Sequence, residues 1–104
     1  RSFCYVSDTV EGMIRLLYSG ESDPVNLGNP REMTILEFAQ TVLRVTGSRS
    51  EIVFVKPQDE RTKDDPMVRQ PDIARAKDVL GWQPLVSLDE GLEKTVDWFR
   101  QRLA

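Results

Sequence analysis

Few side chains in this chain could do chemistry, and most of those are arginines and carboxylates in one stretch. Asp64, Asp65 and Arg69 fall in a segment punctuated by Pro66 and Pro71, and each proline biases the residue before it toward extended backbone. The spacing predicts a stiff loop that presents a guanidinium, and such a loop suits an anionic ligand because the planar fork holds two oxygens at once. Arg61 lies in the same loop, and Arg1 stands two positions before Phe3. The pairs Asp59-Glu60 and Asp64-Asp65 lack the calcium-loop spacing that gathers several oxygens on a hard cation. They read as a solvated loop, and no metal site is expected.

Composition removes other classes of function. The 104 residues contain no histidine, which excludes chemistry built on the commonest base and metal ligand. The single cysteine, Cys4, excludes an internal disulfide and reads as an inert thiol in the apolar run Phe3-Cys4-Tyr5-Val6. A net charge of -3 argues against nucleic acid as a partner, so any anion site must be local. No apolar run is long enough to span a membrane. Opening at Arg1 inside what reads as a strand, the chain is expected to be a portion of a longer protein.

The elements that must position these groups read as α+β, with three or four helices and short strands at residues 3–6, 25–27 and 52–55. Asp8 with Glu11, Thr34 with Glu37, and Ser87 with Glu90 have the spacing of capping boxes that open helices. The first helix would bury Val10, Met13, Ile14, Leu17 and Tyr18. The second would bury Ile35, Phe38, Ala39, Val42 and Leu43, and the last Leu88, Leu92, Val96, Phe99 and Leu103. A shorter helix starts at Asp72, turns Ile73, Ala76, Val79 and Leu80 inward and stops at Gly81, so that Trp82 packs back on it. Gly47 ends the second helix. Trp98 reads as a core or interface residue. Residues 56–71 form a long polar loop, the segment most suited to facing a ligand.

Three blocks, Arg1-Ser2-Phe3-Cys4-Tyr5-Val6-Ser7-Asp8, Val25-Asn26-Leu27-Gly28-Asn29-Pro30 and the stretch from Asp64 to Pro84, together resemble the nucleotide-sugar branch of the extended short-chain dehydrogenase/reductase family. The resemblance is greatest to members that decarboxylate UDP-glucuronate, and it places residues 1–104 in the C-terminal, substrate-binding portion of such an enzyme. It implies oxidation of the sugar at C4 by NAD, loss of carbon dioxide from the resulting β-keto acid, and return of hydride to give UDP-xylose.

By the same resemblance Arg1 contacts the nucleotide diphosphate and Arg61 adds a second contact. Phe3 and Tyr5, alternating about Cys4, face the same way, so that one of them, Phe3 or Tyr5, is placed to flank the nucleotide. Asp65 accepts hydrogen bonds from the ribose or from a neighbouring loop group, and Arg69 holds the carboxylate near the reacting end of the sugar. On the residues alone, Arg1 reads equally as a solvated terminal arginine, Phe3 as a packing residue, and Arg69 as an ion-pair partner of Asp64, Asp65 or Asp72. The loop length between Arg61 and Asp65 departs from that of related epimerases.

The family's Tyr-x-x-x-Lys pair is missing, since Thr9 follows Tyr5 at the fourth place and Ser22 follows Tyr18. No glycine-rich dinucleotide fingerprint is present either. No catalytic residue is therefore expected in this chain, and NAD would be bound by an N-terminal Rossmann domain outside it. The resemblance further implies a homodimer, in the cytoplasm for a bacterial source and in the lumen for an animal one. A UDP-sugar 4-epimerase or a nucleotide-sugar 4,6-dehydratase is the alternative within the family. A non-catalytic assembly module that associates through bare apolar faces is the alternative outside it.

Overall fold

The computed structural model describes residues 1–56 and 69–103. Arg61, Asp65 and most of the 56–71 loop lie outside the described residues. Four helices follow one another, α1 (Val6–Ser19), α2 (Ile35–Thr46), α3 (Ala74–Leu80) and α4 (Leu88–Leu103). α1 packs on α3, and α2 packs on α4. No helix among the described residues is long and apolar enough to cross a membrane.

Local chemistry sets most of the helix ends. The Thr34 hydroxyl accepts from the Glu37 amide at 3.0 Å and opens α2, and the Ser87 hydroxyl accepts from the Glu90 amide at 3.2 Å at the start of α4. Gly47 and Gly81 close α2 and α3 with φ of 67° and 59°, left-handed conformations that a side chain would resist. α3 begins at Ala74 rather than Asp72, because the Asp72 carboxylate caps the turn by accepting from the Ala74 amide at 3.0 Å.

Arginines stitch each helix pair. From α1, Arg15 donates to the carbonyls of Leu80 and Gly81 at 3.2 and 2.7 Å, at the C-terminus of α3. From α4, Arg100 donates to the Thr46 carbonyl at 3.0 Å, at the end of α2. In both cases a cation meets the negative end of a helix.

The Asp8 capping box does not form. α1 begins two residues earlier, with Tyr5 at its N-cap, and Asp8 is buried in its first turn. Both Asp8 carboxylate oxygens are taken by the amides of Leu85 and Val86, at 3.1 and 3.0 Å. A carboxylate offered two amides from a distant segment satisfies those instead of its own helix end.

No strand forms among the described residues, which corrects the expected strands at 3–6, 25–27 and 52–55. Strand residues need a partner ladder. Arg1 exchanges two backbone hydrogen bonds with Met33, at 2.9 and 2.8 Å, which is a single rung. In the 52–55 segment Phe54 is 78% exposed, with Val53 and Val55 exposed on either side of it.

The core is small. Ile73, Ala76 and Trp82 are buried, with Cys4, Val25, Leu27 and Leu80 packed against them. Trp82 is 2% exposed, as expected of a ring folding back on α3. The predicted inner face of α1 is instead open, with Leu17 at 76% and Tyr18 at 84% exposure, and α1 buries Asp8 and Gly12. Ile35, Val79, Phe99 and Leu103 are exposed likewise, and Trp98 is half exposed with the Arg102 guanidinium 3.8 Å from its ring. Hydrophobic periodicity marks the side of a helix that wants cover, and here that cover is not supplied by the described residues. The radius of gyration, 16.5 Å against the roughly 13 Å usual for a compact chain of this length, fits such an open arrangement.

Candidate nucleotide-sugar site

Two connections converge on residues 28–33. Met33 is tied to Arg1 by the two backbone bonds described above. The Gln70 amide donates to the Pro30 carbonyl at 2.8 Å, across 40 residues. Beside it the Pro71 ring sits on Gly28 so closely that a Cβ there would lie 2.9 Å from the ring's Cγ. Residues 28–33 therefore carry the 1–4 segment at one end and the 69–71 segment at the other.

Between these segments lies a cleft of about 640 Å³, lined by Arg1, Ser2 and Cys4, by Leu27 to Asn29, and by Arg69 to Pro71. Arg1 is half-buried and Arg69 exposed. The structure thus brings two of the five residues singled out in the sequence onto one cleft. Arg61 and Asp65 fall outside the described residues.

Phe3 does not line that cleft. Its ring stacks on Phe38 with centroids 3.9 Å apart and planes 10° from parallel. Both line a second, apolar cleft of about 410 Å³ together with Tyr5, Leu88 and Leu92. Tyr5 faces the same cleft as Phe3, in line with their alternation in sequence, and its Cβ fits against Gly91 of α4. Cys4 is half-buried rather than enclosed, and its Sγ accepts weakly from the Thr9 hydroxyl at 3.5 Å.

Sequence reasoning missed Gly28 and Gln70 as parts of the site. Gly28-Asn29-Pro30 announces a turn, but no local signal says that the turn meets a proline 43 residues later. Gln70 carried no signal beyond its place between Arg69 and Pro71.

The cleft thus carries two arginines beside the seat of Pro71 on Gly28. The family model for GDP-mannose 4,6 dehydratase matches residues 1–95. The chain belongs to this family. Within it, the chain is 52% identical over 103 residues to UDP-glucuronic acid decarboxylase 1 of Danio rerio, a match covering 99% of this chain and 24% of that protein. It is 50% identical to UDP-glucuronic acid decarboxylase 3 of Arabidopsis thaliana, covering 99% of this chain and 29% of the relative. The chain of this family member spans about a quarter of the length of the curated relatives it matches.

Among solved structures, UDP-glucose 4-epimerase of Thermotoga maritima with UDP-glucose superposes at a TM-score of 0.90 with 34% identity, over 100% of this chain and 32% of that one. The UDP-glucuronic acid 4-epimerase of Bacillus cereus, in complex with UDP-glucuronic acid and NAD, gives 0.83 and 26% over 98% and 32%.

Proposed function

We propose that this chain is the C-terminal, UDP-sugar-binding portion of an NAD-dependent decarboxylase that converts UDP-glucuronate to UDP-xylose and carbon dioxide. The observation that carries the reading is the presence of Arg1 and Arg69 on one cleft. A diphosphate offers several anionic oxygens to two guanidinium groups at once, and charge-assisted bidentate bonds of this kind are the strong ones. The shared cleft favours the diphosphate as the target of both arginines over a separate post for Arg69 at the sugar carboxylate. Identity of about half to the decarboxylases, against 34% to the UDP-glucose epimerase, supports decarboxylation over epimerisation.

The described residues include no parallel sheet and no glycine-rich strand-to-helix turn, so they do not fit a dinucleotide cofactor. On this reading NAD and the catalytic base belong to the rest of the enzyme. The residues of this chain bind and orient the nucleotide sugar.

The test is made on the whole enzyme, by calorimetric titration with UDP and with UDP-glucuronate and by assay of released carbon dioxide. Arg1→Ala and Arg69→Ala are each expected to weaken UDP, which lacks the carboxylate, by about tenfold or more. If Arg69→Ala weakens UDP-glucuronate and leaves UDP untouched, Arg69 belongs to the carboxylate. Absence of carbon dioxide release from UDP-glucuronate would overturn the reaction.

The open apolar face of α1 favours a second reading for the chain taken alone, association with another copy of itself through Leu17 and its neighbours. Sedimentation of the 104-residue chain over a wide concentration range checks it. A strictly monomeric species at high concentration removes it.

A further inference from the structure

We infer that Gln70 and Gly28 are positioning residues that set where Arg69 stands relative to Arg1. The inference rests on the proposed nucleotide-sugar reading and deepens it. Both arginines are referred to one short piece of backbone, residues 28–33. At its far end Met33 exchanges two hydrogen bonds with Arg1, at 2.8 and 2.9 Å. At its near end Gly28 receives the Pro71 ring and Pro30 accepts from the Gln70 side chain at 2.8 Å. The residue before Pro71 is Gln70 and the one before that is Arg69, so the fixed ring and the amide bond hold the backbone from which the guanidinium projects.

The two contacts act in different ways. Gln70 is exposed, and its amide crosses 40 residues to the Pro30 carbonyl. Its use is to fix a direction. Gly28 is buried, and any Cβ there meets a proline ring that cannot rotate away. Either the 69–71 segment or the Gly28 turn has to give way, and the placement of Arg69 relative to residues 28–33 changes with it. A site that grips one diphosphate with two forks tolerates little misplacement, because the second fork contributes only when both reach the same ligand.

The experiment is a set of double-mutant cycles on the whole enzyme, read as the dissociation constant of UDP. Gln70→Met keeps the length of the side chain and removes the donor. Gln70→Met and Gly28→Ala are each expected to weaken UDP by about three- to tenfold when Arg69 is present, and to change it by less than about twofold when Arg69 is already alanine. The weakening of uridine, which has no phosphate, is expected to stay below twofold throughout. A residue with a merely structural role would weaken UDP equally in both backgrounds, and that outcome overturns the inference. So does an unchanged affinity in Gln70→Met when Arg69→Ala itself is damaging. If Arg1→Ala and Arg69→Ala are themselves harmless, the nucleotide-sugar reading fails and the inference falls with it.

Discussion

The indole of Trp82 donates to the main-chain carbonyl of Asp8 at 2.9 Å, across 74 residues of sequence and inside the protein. The same Asp8 accepts from the amides of Leu85 and Val86 through its side chain. One residue in the first turn of α1 thus organises the connection that runs from α3 into α4. Among the described residues the helices pack as α1 on α3 and α2 on α4, and this fastening joins one pair to the other together with the Phe3–Phe38 stack, the seat of Tyr5 on Gly91 and the Arg1–Met33 bonds.

Asp8→Ala should therefore be costly. It leaves two amides without their charged acceptor, and bonds to charged groups contribute about 1.5–3 kcal/mol each. A loss of about 2–4 kcal/mol is expected in urea unfolding, with a smaller loss for Asp8→Asn, which retains one acceptor oxygen. Trp82→Phe keeps most of the packing and drops the indole donor, and should lose about 1 kcal/mol. An Asp8→Ala protein as stable as the parent would show that the two amides find other partners.

Gly12→Ala separates helix propensity from packing. Inside an exposed helix the change would stabilise by about 1 kcal/mol. Here the new Cβ would lie 2.8 Å from both methyls of Leu27 and 3.1 Å from the Trp82 indole nitrogen, and overpacking of this kind destabilises by about 1–3 kcal/mol. Thermal unfolding should show a lower Tm, with the indole hydrogen exchanging faster as its bond to Asp8 is pushed apart. A raised Tm would mean that Leu27 moves aside at no cost.

Which features were legible in the sequence follows from how far each one's cause lies along the chain. Thr34, Ser87, Gly47 and Gly81 act on residues within one turn, and each does what its type and spacing announce. Trp82 could be placed because a ring after a helix-ending glycine has one nearby surface to cover. Asp8 could not. Its spacing to Glu11 matches a capping box, yet the amides that win it lie 77 and 78 residues away. The apolar stretch 52–55 has the composition of a strand and no ladder among the described residues to make it one. For the site, Arg69 stood out as a guanidinium between Pro66 and Pro71, whereas Arg1 was singled out only by the resemblance of the block it opens. The Gly28 seat and the Gln70 tether were not, since both depend on a contact made only after folding.

Arg15 gives a test of charge at a helix end. Its guanidinium meets the carbonyls of Leu80 and Gly81 while pairing with Glu11 at 3.0 Å. Arg15→Met keeps the aliphatic stem and should destabilise by about 0.5–1.5 kcal/mol, most of it from the α3 terminus, because exposed i,i+4 pairs contribute only about 0.3–0.5 kcal/mol. Glu11→Gln should therefore cost distinctly less than Arg15→Met in the same urea titration. Equal losses would assign the effect to the ion pair.

Glu21 supplies a pH dependence whose sign can be worked out. The amide of Asp23 donates to its carboxylate at 3.1 Å and is the main influence holding its pKa below the ordinary value of 4.5. Partial burial pushes the other way, and the Arg75 guanidinium, 2.7 Å from the carboxylate, lowers it further. A carboxyl whose pKa is lower when folded than when unfolded favours folding above its unfolded value, and that contribution fades as pH falls through the folded value. The tether from α3 to the segment after α1 should accordingly be intact at neutral pH and lost only below about pH 4.5. Carboxyl-detected NMR titration should place the Glu21 midpoint below the ordinary 4.5. In Glu21→Gln the acid limb of the stability curve should flatten because stability above about pH 6 falls slightly, while stability at the acid end, where Glu21 is protonated, stays that of the parent. A Glu21 midpoint at or above 4.5 would mean that burial outweighs the Asp23 amide and Arg75 together.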